Sequence, residues 1–110
     1  MNTSTLRTDL SKRLRAMGIE EQAWPGRTDG FASLTFRGKD LGHFHSDHEI
    51  DVRLGKELKK QERLVPLPDS TVHPGRAQGS PWHEMRIASA AYVDEIIRLV
   101  GMAIGAMKAK

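Results

Sequence analysis

Cysteine is absent from this 110-residue chain, which removes thiolate zinc sites, iron–sulfur clusters and thiol nucleophiles together and fits a reducing compartment. Aromatic residues are scarce. With one Tyr, two Trp and three Phe, a stacking platform for single-stranded nucleic acid would have few parts. Long apolar runs are missing too: the longest, around Leu99 to Met107, follows Arg98, contains Gly101 and Gly105, and is too short to cross a bilayer. Met1-Asn2-Thr3-Ser4 leads into no apolar signal-peptide core, so the expectation is a cytoplasmic protein with no membrane partner. Charge of one sign is not in large excess. The formal net charge is +3, although basic residues gather in Lys12-Arg13-Leu14-Arg15 and from Lys56 to Arg63. Solvated helix faces explain such clusters most simply, and phosphate contact is the alternative.

What is present reads as one α+β domain over residues 1–110, long enough to bury about two thirds of its unfolded surface. Leu6, Leu10, Leu14 and Met17 recur at helical spacing, with Thr3 or Ser4 as N-cap and Gly18 as a stop. A turn-rich link from Trp24 to Gly30 precedes Phe31 to Arg37, in which Ala32, Leu34 and Phe36 alternate with polar residues as in a half-buried strand. Gly38-Lys39 is the expected turn, Leu41–His45 and Ile50–Leu54 the next strands, and Gly55–Leu64 a short polar helix. Val65 to Pro81 holds four of the five prolines and reads as a long loop, a common place for function. Trp82–Ile87 forms a fourth strand. Ser89 then caps a helix whose buried stripe is Val93, Ile96, Ile97, Val100, Ile104 and Met107, with Gly101 and Gly105 allowing close packing. The resulting order is α-β-β-β-α-loop-β-α, a small antiparallel sheet packed by N- and C-terminal helices.

Three of the five histidines fall in Gly42-His43-Phe44-His45-Ser46-Asp47-His48-Glu49. Imidazoles titrate near neutrality and ligate metals, so such a cluster points to proton transfer, a metal or a polar ligand pocket. Alternation sets His43 and His45 on one strand face with Leu41, and Phe44 on the other. If Phe44 packs with Ile50 and Val52, the loop is Ser46-Asp47-His48, His45 lies opposite Glu49 and His43 opposite Asp51. Four uses of this surface compete. His43 and His45, completed by Glu49, Asp51 or an incoming His73, could hold one divalent metal such as zinc, iron or manganese. A pocket needing no cofactor could use a histidine as general base toward an acidic organic compound, with Arg53 holding the anion. A noncatalytic ligand or nucleic-acid surface is the third use, and strand histidines with no task the fourth. His83 alternates with Met85 and Ile87 on the packed face and is not a catalytic candidate.

The run Phe36-Arg37-Gly38-Lys39-Asp40-Leu41-Gly42-His43-Phe44-His45, then Asp51-Val52-Arg53-Leu54, His73-Pro74 and Trp82, resembles the luciferase-domain family, small bacterial proteins similar to fungal luciferases, which oxidise a hydroxylated pyrone with molecular oxygen. The resemblance covers about Phe31 to Met107. It implies a hairpin pocket for a small planar, acidic organic molecule that can react with oxygen. In that pocket His43 and His45 would be base and orienting residue, His73 a third catalytic group, and His48, Asp51, Arg53 and Trp82 ligand contacts. Arg53 departs from the pattern, standing where the fungal enzymes carry another histidine. The element order is also similar to the MmcQ/YjbR-like proteins, which implies a nucleic-acid- or partner-binding module using Lys12, Arg13, Arg15, Lys56, Lys59 and Lys60.

Overall fold

The computed structural model describes residues 3–65 and 79–108. Its elements are α1 (Thr3–Ala16), β1 (Ile19–Ala23), β2 (Ala32–Phe36), β3 (Lys39–Phe44), β4 (Glu49–Arg53), α2 (Lys56–Gln61), β5 (Trp82–Arg86) and α3 (Ala90–Lys108). The strands form one five-stranded antiparallel sheet in the order β1-β2-β3-β4-β5. The α+β class and the flanking helices agree with the sequence reading. The expected four strands become five because β1, Ile-Glu-Glu-Gln-Ala, pairs along the edge next to β2. Its three central residues are polar, so no apolar alternation announces it, and its register comes from its partner strand.

One face of the sheet carries the core. Ala32, Leu34, Phe36, Phe44, Ile50, Val52, Met85 and Ile87 meet Leu6, Leu10 and Leu14 of α1 and Val93, Ile96, Leu99, Val100, Ala103 and Ile104 of α3 in a single buried cluster. His83 lies opposite Val52 and is buried on this same face, as expected. Gly18 follows α1 with φ +90°, and Ser89 caps α3 through its hydroxyl, which accepts from the Tyr92 N–H. No helix among the described residues is long and apolar enough to cross a membrane.

Two local expectations are corrected. The β2–β3 turn is Arg37-Gly38, not Gly38-Lys39: both residues have positive φ, 53° and 79°, and Phe36 pairs with Lys39, the geometry of a two-residue hairpin whose twist matches the strands. Leu41 does not share the histidine face. The register shifts between Leu34 and Thr35, whose partners are Gly42 and Asp40, so Leu41 is an extra residue in a bulge and turns into the core, where it is 1% exposed.

Gly101 and Gly105 were expected to admit a closely packed neighbour. A Cβ at Gly101 would make only an ordinary contact, 3.5 Å from Met17 Cε, and one at Gly105 would meet nothing within 4 Å. Gly105→Ala should therefore raise stability by up to about 1 kcal/mol, because alanine restricts the unfolded chain and favours helix. A thermal melt of the variant checks this, and a lowered midpoint would show that something does pack at that position.

Candidate functional site

The sheet face turned away from the helices carries the candidate site. Reading across the register, Gln22, Ser33, His43, Asp51 and Glu84 form one continuous rung through all five strands. The His43–Asp51 pairing is the one the sequence predicts. His45 donates its backbone N–H to the Glu49 carbonyl at 3.0 Å, which places it beside Glu49 as expected. Because the bulge precedes Gly42, His43 and His45 keep their alternation and project from the same face.

The two imidazoles meet. His43 Nε2 and His45 Nε2 are 3.2 Å apart, with the rings edge to face at 4.4 Å between centroids. A hydrogen bond at this distance requires one ring to carry hydrogen on Nε2 and the other to present a lone pair. Asp51 Oδ2 lies 3.9 Å from His43 Nε2, and one ligand atom from each of His43, His45 and Asp51 falls within 4.8 Å of the others. Asp51 and its cross-strand neighbour Glu84 are nearly fully buried, 1% and 4% exposed, whereas the His43 side chain retains 25% exposure. A deeply seated carboxylate beneath a partly open imidazole pair is an arrangement for receiving a polar ligand from solvent.

Aromatic rings frame the pair. Phe31 stacks on His43 at 5.6 Å and 26°, Trp82 leans on it at 5.9 Å, and Trp24 meets Phe31 edge-on at 5.7 Å. The Trp24 indole N–H donates to Ser33 Oγ at 2.8 Å, and the Arg27 guanidinium lies 4.3 Å over the Phe31 ring. Arg27 also hydrogen-bonds Asp29, which accepts from the Phe31 N–H. The Arg27 contact above all, with the Phe31 N–H adding, lowers the Asp29 carboxyl to about 2. Asp29 thus stays ionised across the range in which imidazoles titrate.

Buried charges hold this framework in place. Arg7, on the helix face of the sheet, stacks 3.5 Å over Phe44 and donates to the carbonyls of Gly30 at 2.7 Å and Ser46 at 3.2 Å. It also pairs with Asp47 at 3.2 Å and Glu21 at 3.4 Å, so one guanidinium joins α1 and β1 to both loops flanking the histidines. Gly30, with φ +86°, sits so close to this turn that a Cβ would lie 2.6 Å from Asp47 Oδ1. At the other end, Lys59 of α2 is buried and donates to the carbonyls of Ser80 at 2.7 Å and Trp82 at 2.8 Å, anchoring the start of β5.

The sequence-predicted residues divide accordingly. His43, His45, Asp51 and Trp82 come together, with Glu49 at the adjacent position. His48 is exposed on the turn, its carbonyl accepts from the Ile87 N–H, and it is not among the residues whose ligand atoms gather at the pair. Arg53 is exposed, opposite Trp82 in the register, and lines an open groove of about 970 Å³ with Lys39, Lys56 and residues of α3. His73 and Pro74 lie outside the described residues, as does most of the Val65–Pro81 loop. Of the basic residues proposed for phosphate contact, Lys59 is corrected to an internal clamp, and Arg13 pairs with Asp94 at 2.8 Å. Sequence reasoning missed Arg7 and Phe31 as parts of the site. Both carried a signal: a cation three residues before Leu10 in an apolar helical stripe, and an aromatic on the polar face of an alternating strand.

Residues 38–103, more than half of the chain, match the family model of the Luciferase domain. The match spans His43, His45, Asp51 and Trp82; Arg7, Trp24 and Phe31 precede it. No curated protein and no solved structure matches the chain.

Proposed function

The chain belongs to the luciferase-domain family, and from that membership together with the histidine face we propose that it binds a small planar, acidic organic molecule at His43 and His45 and oxidises it with molecular oxygen. The observation that carries this reading is the facing pair of Nε2 atoms, with Phe31 and Trp82 both packed against the His43 ring. A flat ring packs beside the Trp82 indole, and an acidic hydroxyl or its anion meets the imidazoles. Asp51 Oδ2 lies 3.9 Å from His43 Nε2, beside the face on which the ligand would sit.

The chemistry needs no further reactant. One imidazole takes the acidic proton, and the resulting electron-rich enolate gives one electron to oxygen. The substrate radical and superoxide combine in a new C–O bond, and the imidazolium returns the proton to the terminal oxygen, leaving a hydroperoxide that holds both oxygen atoms. General base catalysis contributes about 10²- to 10⁴-fold in such steps. His73 would supply a third group from the long loop, and Arg53 is a candidate anion contact at the pocket margin.

Oxygen uptake and equilibrium binding with hydroxylated pyrones and phenols test this reading. The expected result is binding and oxygen consumption by the wild type, with turnover reduced about 100-fold or more in His43→Ala/His45→Ala. Binding unchanged by the double substitution would remove the site assignment, and no binding across the panel would remove the substrate class.

A further inference from the structure

We propose that His43, His45 and Asp51 form a binding site for one divalent transition-metal ion, with Asp51, not Glu49, supplying the carboxylate. The inference names a second ligand for the same face and relies on the preceding reading only for its location.

The donor spacing supports it. Neighbouring ligands held at about 2.1 Å from a metal in tetrahedral or octahedral geometry are about 3.0 to 3.5 Å apart. The two Nε2 atoms stand at 3.2 Å, and Asp51 Oδ2 is 3.9 Å from one of them. A cation can therefore replace the hydrogen shared by the imidazoles with a small inward movement of the carboxylate. The scaffold limits that movement, because His43 and Asp51 are cross-strand partners on the central strands β3 and β4. His45 follows on the same face, held by its backbone bond to Glu49. Glu49 and Asp51 were both candidate carboxylates, and among the described residues Asp51 is the one that gathers with both histidines within 4.8 Å.

The donor set also restricts the ion. Two imidazoles and one carboxylate on one side, with the other side open, suit iron(II), zinc or cobalt(II) better than magnesium or calcium, which favour oxygen ligands. Asp51 and its buried cross-strand neighbour Glu84 place two carboxyl groups behind the imidazoles, and a bound cation would offset the cost of ionising a carboxyl group there. Occupancy would change the roles of the imidazoles. As ligands they no longer accept the substrate proton, and the charge of the ion promotes loss of that proton from an acidic oxygen in an open coordination position.

The test is titration of the full chain with zinc(II) by calorimetry and with cobalt(II) by visible absorption, without any organic compound, beside His43→Ala/His45→Ala, Asp51→Asn and His48→Ala. Each variant is first compared with wild type by circular dichroism and amide NMR. Expected are one equivalent of metal in wild type and His48→Ala, affinity lowered about tenfold or more in Asp51→Asn, and no specific binding in the double variant. A variant that fails to fold leaves the wild-type cobalt spectrum as the readout, with two nitrogen donors and one carboxylate expected. No stoichiometric uptake by wild type, or uptake that survives the double substitution, would overturn the metal site. Either result leaves binding of the organic acid to be judged by its own titration.

Discussion

Gly42→Ala is expected to lower stability by about 3 kcal/mol or more, at the severe end of what overpacking costs. Gly42 lies between the bulged Leu41 and His43, opposite Val52. A Cβ there would stand 2.2 Å from the Asp51 backbone oxygen and 3.0 Å from Val52 Cα. Both obstacles are backbone, so no rotamer change relieves them, and β3 and β4 have to separate where the ladder sets His43 against Asp51. The contrast with Gly105→Ala is direct: the same substitution meets open space in one place and a neighbouring strand in the other. Urea unfolding measures the loss. A change under about 0.5 kcal/mol, the usual range for a neutral surface site, would show that the strands do not approach as described.

Arg7→Met is expected to destabilise by about 3 kcal/mol, as when one partner is removed from a buried charge network. Its side chain is 11% exposed and that of Glu21 18%, so their contact is poorly screened; Asp47, 47% exposed, contributes less. Methionine keeps much of the apolar volume over Phe44 but leaves Glu21 without its cation and the Gly30 and Ser46 carbonyls without their donor. Arg7→Lys should recover less than half, because a point charge cannot reproduce a planar fork that serves several acceptors. Amide hydrogen exchange adds a local readout: protection should fall first around Ser46 and Gly30. Uniform loss across the sheet, with these segments unchanged relative to the rest, would contradict the role of Arg7 as their common anchor.

The extent to which the site was legible in the sequence follows from which contacts are local. Alternation and apolar parity were enough to place His43 against Asp51, His45 against Glu49 and His83 in the core, because a slip of one residue would bury the histidines and expose Ile50 and Val52. The bulge at Leu41 was not legible. It depends on how β2 and β3 pair, and leaves only a local interruption of alternation. β1 was missed because three polar residues between Ile19 and Ala23 make no pattern of their own. The roles of Arg7 and Lys59 depend on carbonyls 23, 39, 21 and 23 positions away, respectively, which no sequence window contains. Charge alone put Lys59 on the surface; its long apolar stem and the Ser80 and Trp82 carbonyls at the start of β5 bring it inside.

The central claim, that the His43–His45 face receives a planar acidic organic molecule, is tested most directly by titrating isotopically labelled protein with a hydroxylated pyrone and following side-chain NMR signals. The account predicts saturable shifts in the His43 and His45 imidazoles, the Phe31 ring and the Trp82 indole. Shifts confined to Lys12, Arg15, Lys56 and Lys60, or a spectrum unchanged at saturating compound, would contradict it.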